Sequence, residues 1–210
     1  MPERKPNERT PATRCGLTLL EILMVVALLG IFAGMALPLF EANTASQLIT
    51  AAQIVAADLD YARQLAVSNN STYTLTWQSA YEQYYLAHSG FSTELNTLPT
   101  SAFRLSSDPS NRQTTAFTAV PQLAGVRLHD VYQLGTTART AVTSTAFGPL
   151  GNTVAANTTE VWLTANSANQ TLYVSITVNP VTGLAEIGDI AGAAPELTFS
   201  IQAPQKLGAS

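Results

Sequence analysis

Cysteine occurs once in the 210 residues, at Cys15. That excludes an intramolecular disulfide and a cysteine-based zinc site. An acylated lipoprotein cysteine is excluded by order, because Cys15 precedes the long apolar segment instead of following it. Histidine is nearly as scarce, with only His88 and His129. His129 and Asp130 are chain neighbours, a poor arrangement for a base and its orienting carboxylate, and no glycine elbow frames a serine. Charged residues make up 11% of the chain against 46% apolar ones, so the surface must rely on the Thr, Ser, Asn and Gln that crowd the region after Asn69. Such a composition suits an extracytoplasmic, β-rich domain. Positive charge is scarce beyond the start. Residues 1–16 carry a net +2 of a total of −4, which leaves the other 194 residues at −6. An acidic body has no electrostatic footprint for nucleic acid, which needs clustered Lys and Arg. Asp58 and Asp60 stand two apart on a helical pattern and point to different faces, so they read as solvated helix charges and not as a metal or acid pair. No calcium loop of alternating Asp and Asn occurs. Neither metal, cofactor nor catalysis is expected.

What is present begins with "LTLLEILMVVALLGIFAGMALPLF". Residues 22–40 are nineteen consecutive positions without a charge, long enough to cross the roughly 30 Å hydrocarbon core as a helix. The basic leader before it places residue 1 in the cytoplasm and residues 41–210 outside. Pro38 falls near the outer end, where it can kink the helix. Glu21 is the single ionisable side chain between Leu17 and Pro38. A carboxylate in hydrocarbon costs a few kcal/mol and marks function by default. A secretory signal peptide cut near Ala36 would leave Glu21 useless inside its apolar region, and the run exceeds the 7–15 residues that such a region needs.

The stretch "GLTLLE" resembles the processing site of type IV pilins and type II secretion pseudopilins. The resemblance implies a leader over 1–16, cut on the cytoplasmic side after Gly16 by a prepilin peptidase, and a mature chain that starts at N-methylated Leu17. Glu21 is then the fifth mature residue and Pro38 the twenty-second, where the family usually has those residue types; Leu17 replaces the commoner phenylalanine. In the family the glutamate pairs with the free N-terminal amine of the neighbouring subunit. Each charge alone is costly in the membrane, and pairing offsets both while favouring one register of helix on helix. A glutamate that merely snorkels to the headgroups is the bland alternative.

Past the membrane segment, 41–69 continues the helix. Leu48, Ala52, Val55, Leu59, Ala62 and Ala66 recur at spacings of 4, 3, 4, 3 and 4 and draw one apolar stripe. Asn69-Asn70 is the expected stop. The rest, 70–210, reads as β. "STYTLTWQ" alternates Tyr73, Leu75 and Trp77 with threonines, and "YYLAH" (84–88) can pair back across 79–83. "TEVWLTA" (159–165) and "TLYVSITV" (171–178) are further strands, "NPVTG" (179–183) turns into "LAEIG", and "ELTFSIQ" (196–202) reads as a last strand. Alternation predicts antiparallel sheets with one wet face. Residues 89–122 read as a polar, loop-like insertion, and 136–158 as weakly patterned. Tyr73 and Trp77 are expected in the core, Tyr81, Tyr84 and Tyr85 are left open as core or contact surface, and Arg63 is expected to close the helix onto the sheet.

"LDYARQLAVSNNSTYTLTW" and "FGPLGNT…VWLTANSANQTLYVSITVNPVTGLAEI" are similar to the GspH/FimT class of minor pseudopilins. The fold expected is α+β: a long N-terminal helix, half transmembrane, packed on antiparallel sheets. The function implied is that of a structural subunit of a type II secretion pseudopilus, anchored once in the inner membrane with its globular domain in the periplasm. Its partners would be the peptidase, other pseudopilin or pilin subunits and the membrane, with no nucleic acid. A minor type IV pilin is the first alternative, and a secreted β-domain released by signal peptidase the second.

Overall fold

The computed structural model describes residues 19–99, 107–136, 138–167 and 170–193, with the helical course alone, and no side chains, over 31–43. The chain divides into two compact units, Met1–Phe40 and Glu41–Ser210. One helix, α1 (Leu19–Ser68), runs through Pro38 without interruption. It ends where Asn70 takes a left-handed conformation, φ 47°, a backbone state that asparagine tolerates better than most residues.

Within the second unit the expected stripe is fully buried: Leu48, Ala52, Val55, Leu59, Ala62 and Ala66. It packs into one core with the inward faces of two antiparallel sheets. The first sheet has the order β3 (Arg112–Ala116), β2 (Gln83–His88), β1 (Tyr73–Gln78), β6 (Ser144–Phe147). The second has the order β5 (Arg139–Ala141), β4 (Val126–Leu134), β7 (Thr158–Asn166), β8 (Thr171–Val178), β9 (Ala185–Ile187). β1 buries Tyr73, Leu75 and Trp77, and β8 buries Leu172, Val174, Ile176 and Val178, as period-2 alternation requires. Each such side chain contributes about 1.5–3 kcal/mol relative to exposure. The architecture is α+β, with the second half of the helix packed on antiparallel sheets.

Two sequence expectations are corrected. The insertion over 89–122 is no mere excursion: β3 lies in it and pairs with β2 from Gln83↔Ala116 to Ala87↔Arg112. Its Leu98 and Phe117 enter the core, as does Leu123 directly after it. The weakly patterned stretch over 136–158 supplies β5 and β6. Residues 142–143 step between the sheets, the Val142 N–H bonding to the Val131 carbonyl at 2.9 Å while the Thr143 carbonyl accepts from the Trp77 N–H at 2.8 Å. β4 shows no legible alternation in the sequence, because a bulge between Leu128 and Asp130 shifts its register against β7. The strand expected over 196–202 lies outside the described residues.

Candidate assembly surfaces and the helix-end junction

Glu21 stands in the first turn of α1. The large apolar side chains around it are all exposed, from 47% at Leu28 to 80% at Leu19. Because Leu19, Leu20, Ile22, Leu23, Met24, Val25 and Val26 follow one another closely, this apolar surface runs around every face of the helix, a pattern that soluble helices do not keep in water. Gly16 and Leu17 lie outside the described residues, as does the Pro38 side chain. Among the described residues no helix is long and apolar enough to cross a membrane; the sequence's apolar run, 22–40, extends beyond those whose side chains are described.

At its other end the helix meets two turns. Asn179 folds the β8–β9 connection by accepting the Val181 and Thr182 N–H groups on its side-chain oxygen at 2.9 and 3.1 Å, and Gly183 N–H closes back on the Asn179 carbonyl at 2.8 Å. The "FGPLGNT" turn lies beside it, tied by the Thr153 N–H to the Pro180 carbonyl at 3.0 Å. Gly151 and Gly183 both have positive φ, 81° and 66°, and the Gly183 Cα faces the Gly151 carbonyl. The Arg63 side chain runs under both, its Cδ 2.9 Å from where a Cβ on Gly183 would stand. Asp60 Oδ1 accepts from Arg63 Nε and Nη2 at 3.0 and 2.8 Å and orients the guanidinium. Those hydrogen bonds hold the Asp60 carboxyl below the usual range. Arg63 thus takes the closing role expected of it. The sequence did not reveal that its partners are two glycine turns 88 and 120 residues further on.

Asp58 is not the solvated charge expected. Its Oδ2 accepts from the Tyr84 hydroxyl at 2.7 Å and from the Thr115 hydroxyl at 2.9 Å, which ties α1 to β2 and β3. The signal was present in the spacing, since 58 lies three past Val55 and four before Ala62, on the flank of the apolar stripe. Burial pushes the Asp58 carboxyl above its ordinary 3.8, and the two hydrogen bonds offset part of that rise. Burial likewise pushes the Tyr84 hydroxyl well above its ordinary range. The folded state therefore binds the Asp58 proton more tightly than the unfolded chain, so Asp58 costs stability as pH rises from about 3.8 through its raised folded value. Asp60, shifted the other way, contributes stability that is lost as pH falls. Asp58→Asn keeps an oxygen acceptor, and its stability relative to wild type is expected to grow with pH across the Asp58 window and then level off. Asp58→Leu strands the buried Tyr84 hydroxyl and is expected to cost about 1–3 kcal/mol. Urea unfolding from about pH 3 to about pH 7 checks both.

The open question over the tyrosines is answered residue by residue. Tyr84 is buried between Trp77 and Phe117, with ring centroids at 5.2 and 6.0 Å. Tyr85 turns to the other face of β2 under Arg112, and Tyr81 is exposed. His129 packs edge-on against Tyr173 at 5.3 Å, and Asp130 accepts from the Tyr132 hydroxyl at 3.1 Å. The structure brings together one group that the sequence did not suggest: Ser71 Oγ is 2.7 Å from His88 Nε2, and His88 Nδ1 is 2.8 Å from Asn96 Oδ1. Gly90 backbone lies against the Ser71 hydroxyl, where a Cβ would overlap it. The chain of three side chains fixes the loop that follows β2.

Neither a protein-family model nor any curated protein matches the chain. Two solved structures resemble it, both of the type IV minor pilin FimU of Pseudomonas aeruginosa, in different crystal forms. One is 16% identical with a TM-score of 0.43, over 72% of this chain and all of that one. The other is 15% identical with a TM-score of 0.43, over 73% of this chain and 96% of that one.

Proposed function

We propose that the chain is a pilin-type structural subunit, and specifically a minor pseudopilin of a type II secretion pseudopilus, held once in the inner membrane with its β-rich domain in the periplasm. It acts by assembly and not by catalysis. The observation that carries the reading is the head of α1: among the described residues an apolar surface on every face, interrupted by Glu21 alone, that begins within the "GLTLLE" motif. Such a helix is stable in lipid or against other helices. A cut after Gly16 would create an amine one turn from Glu21, and the glutamate of one subunit would then neutralise the amine of another. The β-rich domain is locked onto the second half of the helix through Asp58 and Arg63.

Processing tests the reading. Gly16→Val puts a branched side chain at the bond to be cut and is expected to leave uncut precursor in the membrane, while wild type yields a chain starting at methylated Leu17. Intact mass and N-terminal sequencing read the result. A normal mature product from Gly16→Val, or a wild-type chain starting at unmethylated Leu37, overturns it.

A further inference from the structure

Among the described residues the second sheet ends on an open edge, that of β9. The chain follows β8 as far as Ala191, whose N–H and carbonyl both bond to Tyr173 at 2.8 Å. The Leu184 carbonyl accepts from Asn179 N–H at 3.0 Å, and Gly188 N–H bonds to the Ser175 carbonyl at 2.8 Å. Backbone groups alternate sides along an antiparallel strand, so those of Ala185 and Ile187 turn away from β8 toward the open edge. The side chains along that edge are apolar and lie on the core side of the sheet. Ala185 stands opposite buried Val178 and Ile187 opposite buried Ile176, while Ala185 and Ile190 pack against the core. Ile187 nevertheless remains 39% exposed. An unpaired edge with an apolar flank is a template for another strand, and folded proteins cover such edges.

We propose that residues 196–202, "ELTFSIQ", close this edge as a sixth strand, antiparallel to 185–191 of the same chain. Three observations choose this occupant. The first is the connection: only Gly192, Ala193, Ala194 and Pro195 separate Ala191, bridged to Tyr173, from Glu196. Four residues make an ordinary hairpin loop, and Pro195, which has no N–H to donate, stands just before the first residue that must pair. The second is length, since 185–191 and 196–202 are seven residues each. The third is register. Ser175 meets Gly188 and Tyr173 meets Ala191, so two steps along β8 match three along its neighbour, a bulge. With that extra residue, pairing Ala191 with Glu196 sets Leu197 beside Ile190, Phe199 beside Ile187 and Ile201 beside Ala185. The three apolar side chains of the segment then fall on the core side, and Thr198, Ser200 and Gln202 on the wet one. Phe199 covers the exposed Ile187. A strand on so short a tether meets its own edge at an effective concentration in the millimolar range, so it closes the edge ahead of a second copy. The closure stands on the globular unit alone and does not depend on processing at Gly16.

The test uses the full chain in detergent micelles, with Cys15→Ser as background. In the proposed register Glu186 and Ser200 form a non-hydrogen-bonded pair with Cα atoms roughly 4.5 Å apart, within the span of about 4.4–6.8 Å that a disulfide bridges. Glu186→Cys with Ser200→Cys is expected to form a disulfide within one chain on mild oxidation. The product runs as a monomer on a non-reducing gel, and its two halves stay joined when the denatured, unreduced chain is cleaved after Glu196. Glu186→Cys with Thr198→Cys puts the Cα atoms on a diagonal roughly 7–8 Å apart and should crosslink at least fivefold less. Phe199→Ala should lower the thermal midpoint by at least about 5 °C, while Ser200→Ala on the wet face leaves it unchanged. A disulfide that joins two chains, no disulfide, or equal yields from the two cysteine pairs overturns the proposal, as does an unshifted Phe199→Ala midpoint.

Discussion

Gly183→Ala is expected to lower the thermal midpoint of the chain by roughly 10 °C. Two costs add. Residue 183 holds φ 66°, and an L side chain there costs about 1–2 kcal/mol. The new methyl would also overlap the Gly151 carbonyl and press on Arg63 Cδ, forcing apart the two turns that close over the helix end. Overpacking of that kind costs about 1–3 kcal/mol, and neither contact is the free end of a flexible side chain: one is backbone, and the other is the stem of an arginine held by Asp60. Together they remove about 2–5 kcal/mol from a stability that is typically about 5–15. For a domain of this size, 1 kcal/mol shifts the midpoint by about 2–4 °C. Gly192→Ala is the control, because a Cβ there meets only Gln170 Oε1 at 3.9 Å; its midpoint should stay at the wild-type value. Calorimetry of both variants decides. An unshifted Gly183→Ala midpoint would mean that the turns separate freely and that Arg63 closes nothing.

Glu21→Gln is expected to leave cleavage and membrane insertion intact and to lower association with neighbouring subunits at least tenfold. The amide keeps the shape and removes the anion, so the methylated amine proposed at Leu17 of a neighbour would face low dielectric without a counter-charge. Removing one member of a buried pair costs about 3–5 kcal/mol, and 1.4 kcal/mol is already a factor of ten. The readout is crosslinking of the full-length variant to partner subunits in membranes, with mature mass as the control for processing. Wild-type association would reduce Glu21 to a snorkelling surface charge and remove the assembly role proposed for it.

Much of this molecule is written locally. The 4-3-4-3-4 spacing set which face of α1 is buried, because helical periodicity depends only on the chain's own geometry. The clean alternation of β1, β7 and β8 fixed their inward faces for the same reason, and Asn179 and Gly183 carry their turn in their own backbone preferences. The position of Glu21 within an uncharged run is likewise a property of sequence alone. Tertiary structure decided the rest, and each case involves a partner distant along the chain. β3, β5 and β6 run only five, three and four residues, too few to show a period, and they exist because β2, β4 and β1 offer them hydrogen-bonding edges. β4 hides its pattern in a bulge. Adjacent Tyr84 and Tyr85 part company because a pleated strand sends neighbours to opposite faces and the helix covers only one of them. Asp58 becomes a buried tie because Tyr84 and Thr115 arrive at its carboxylate from two strands. Arg63 becomes a closing residue because two glycines, 32 positions apart, fold over it. Local periodicity names the faces that turn inward; which distant groups meet there is settled only when the chain closes on itself and every buried polar atom must find its partner.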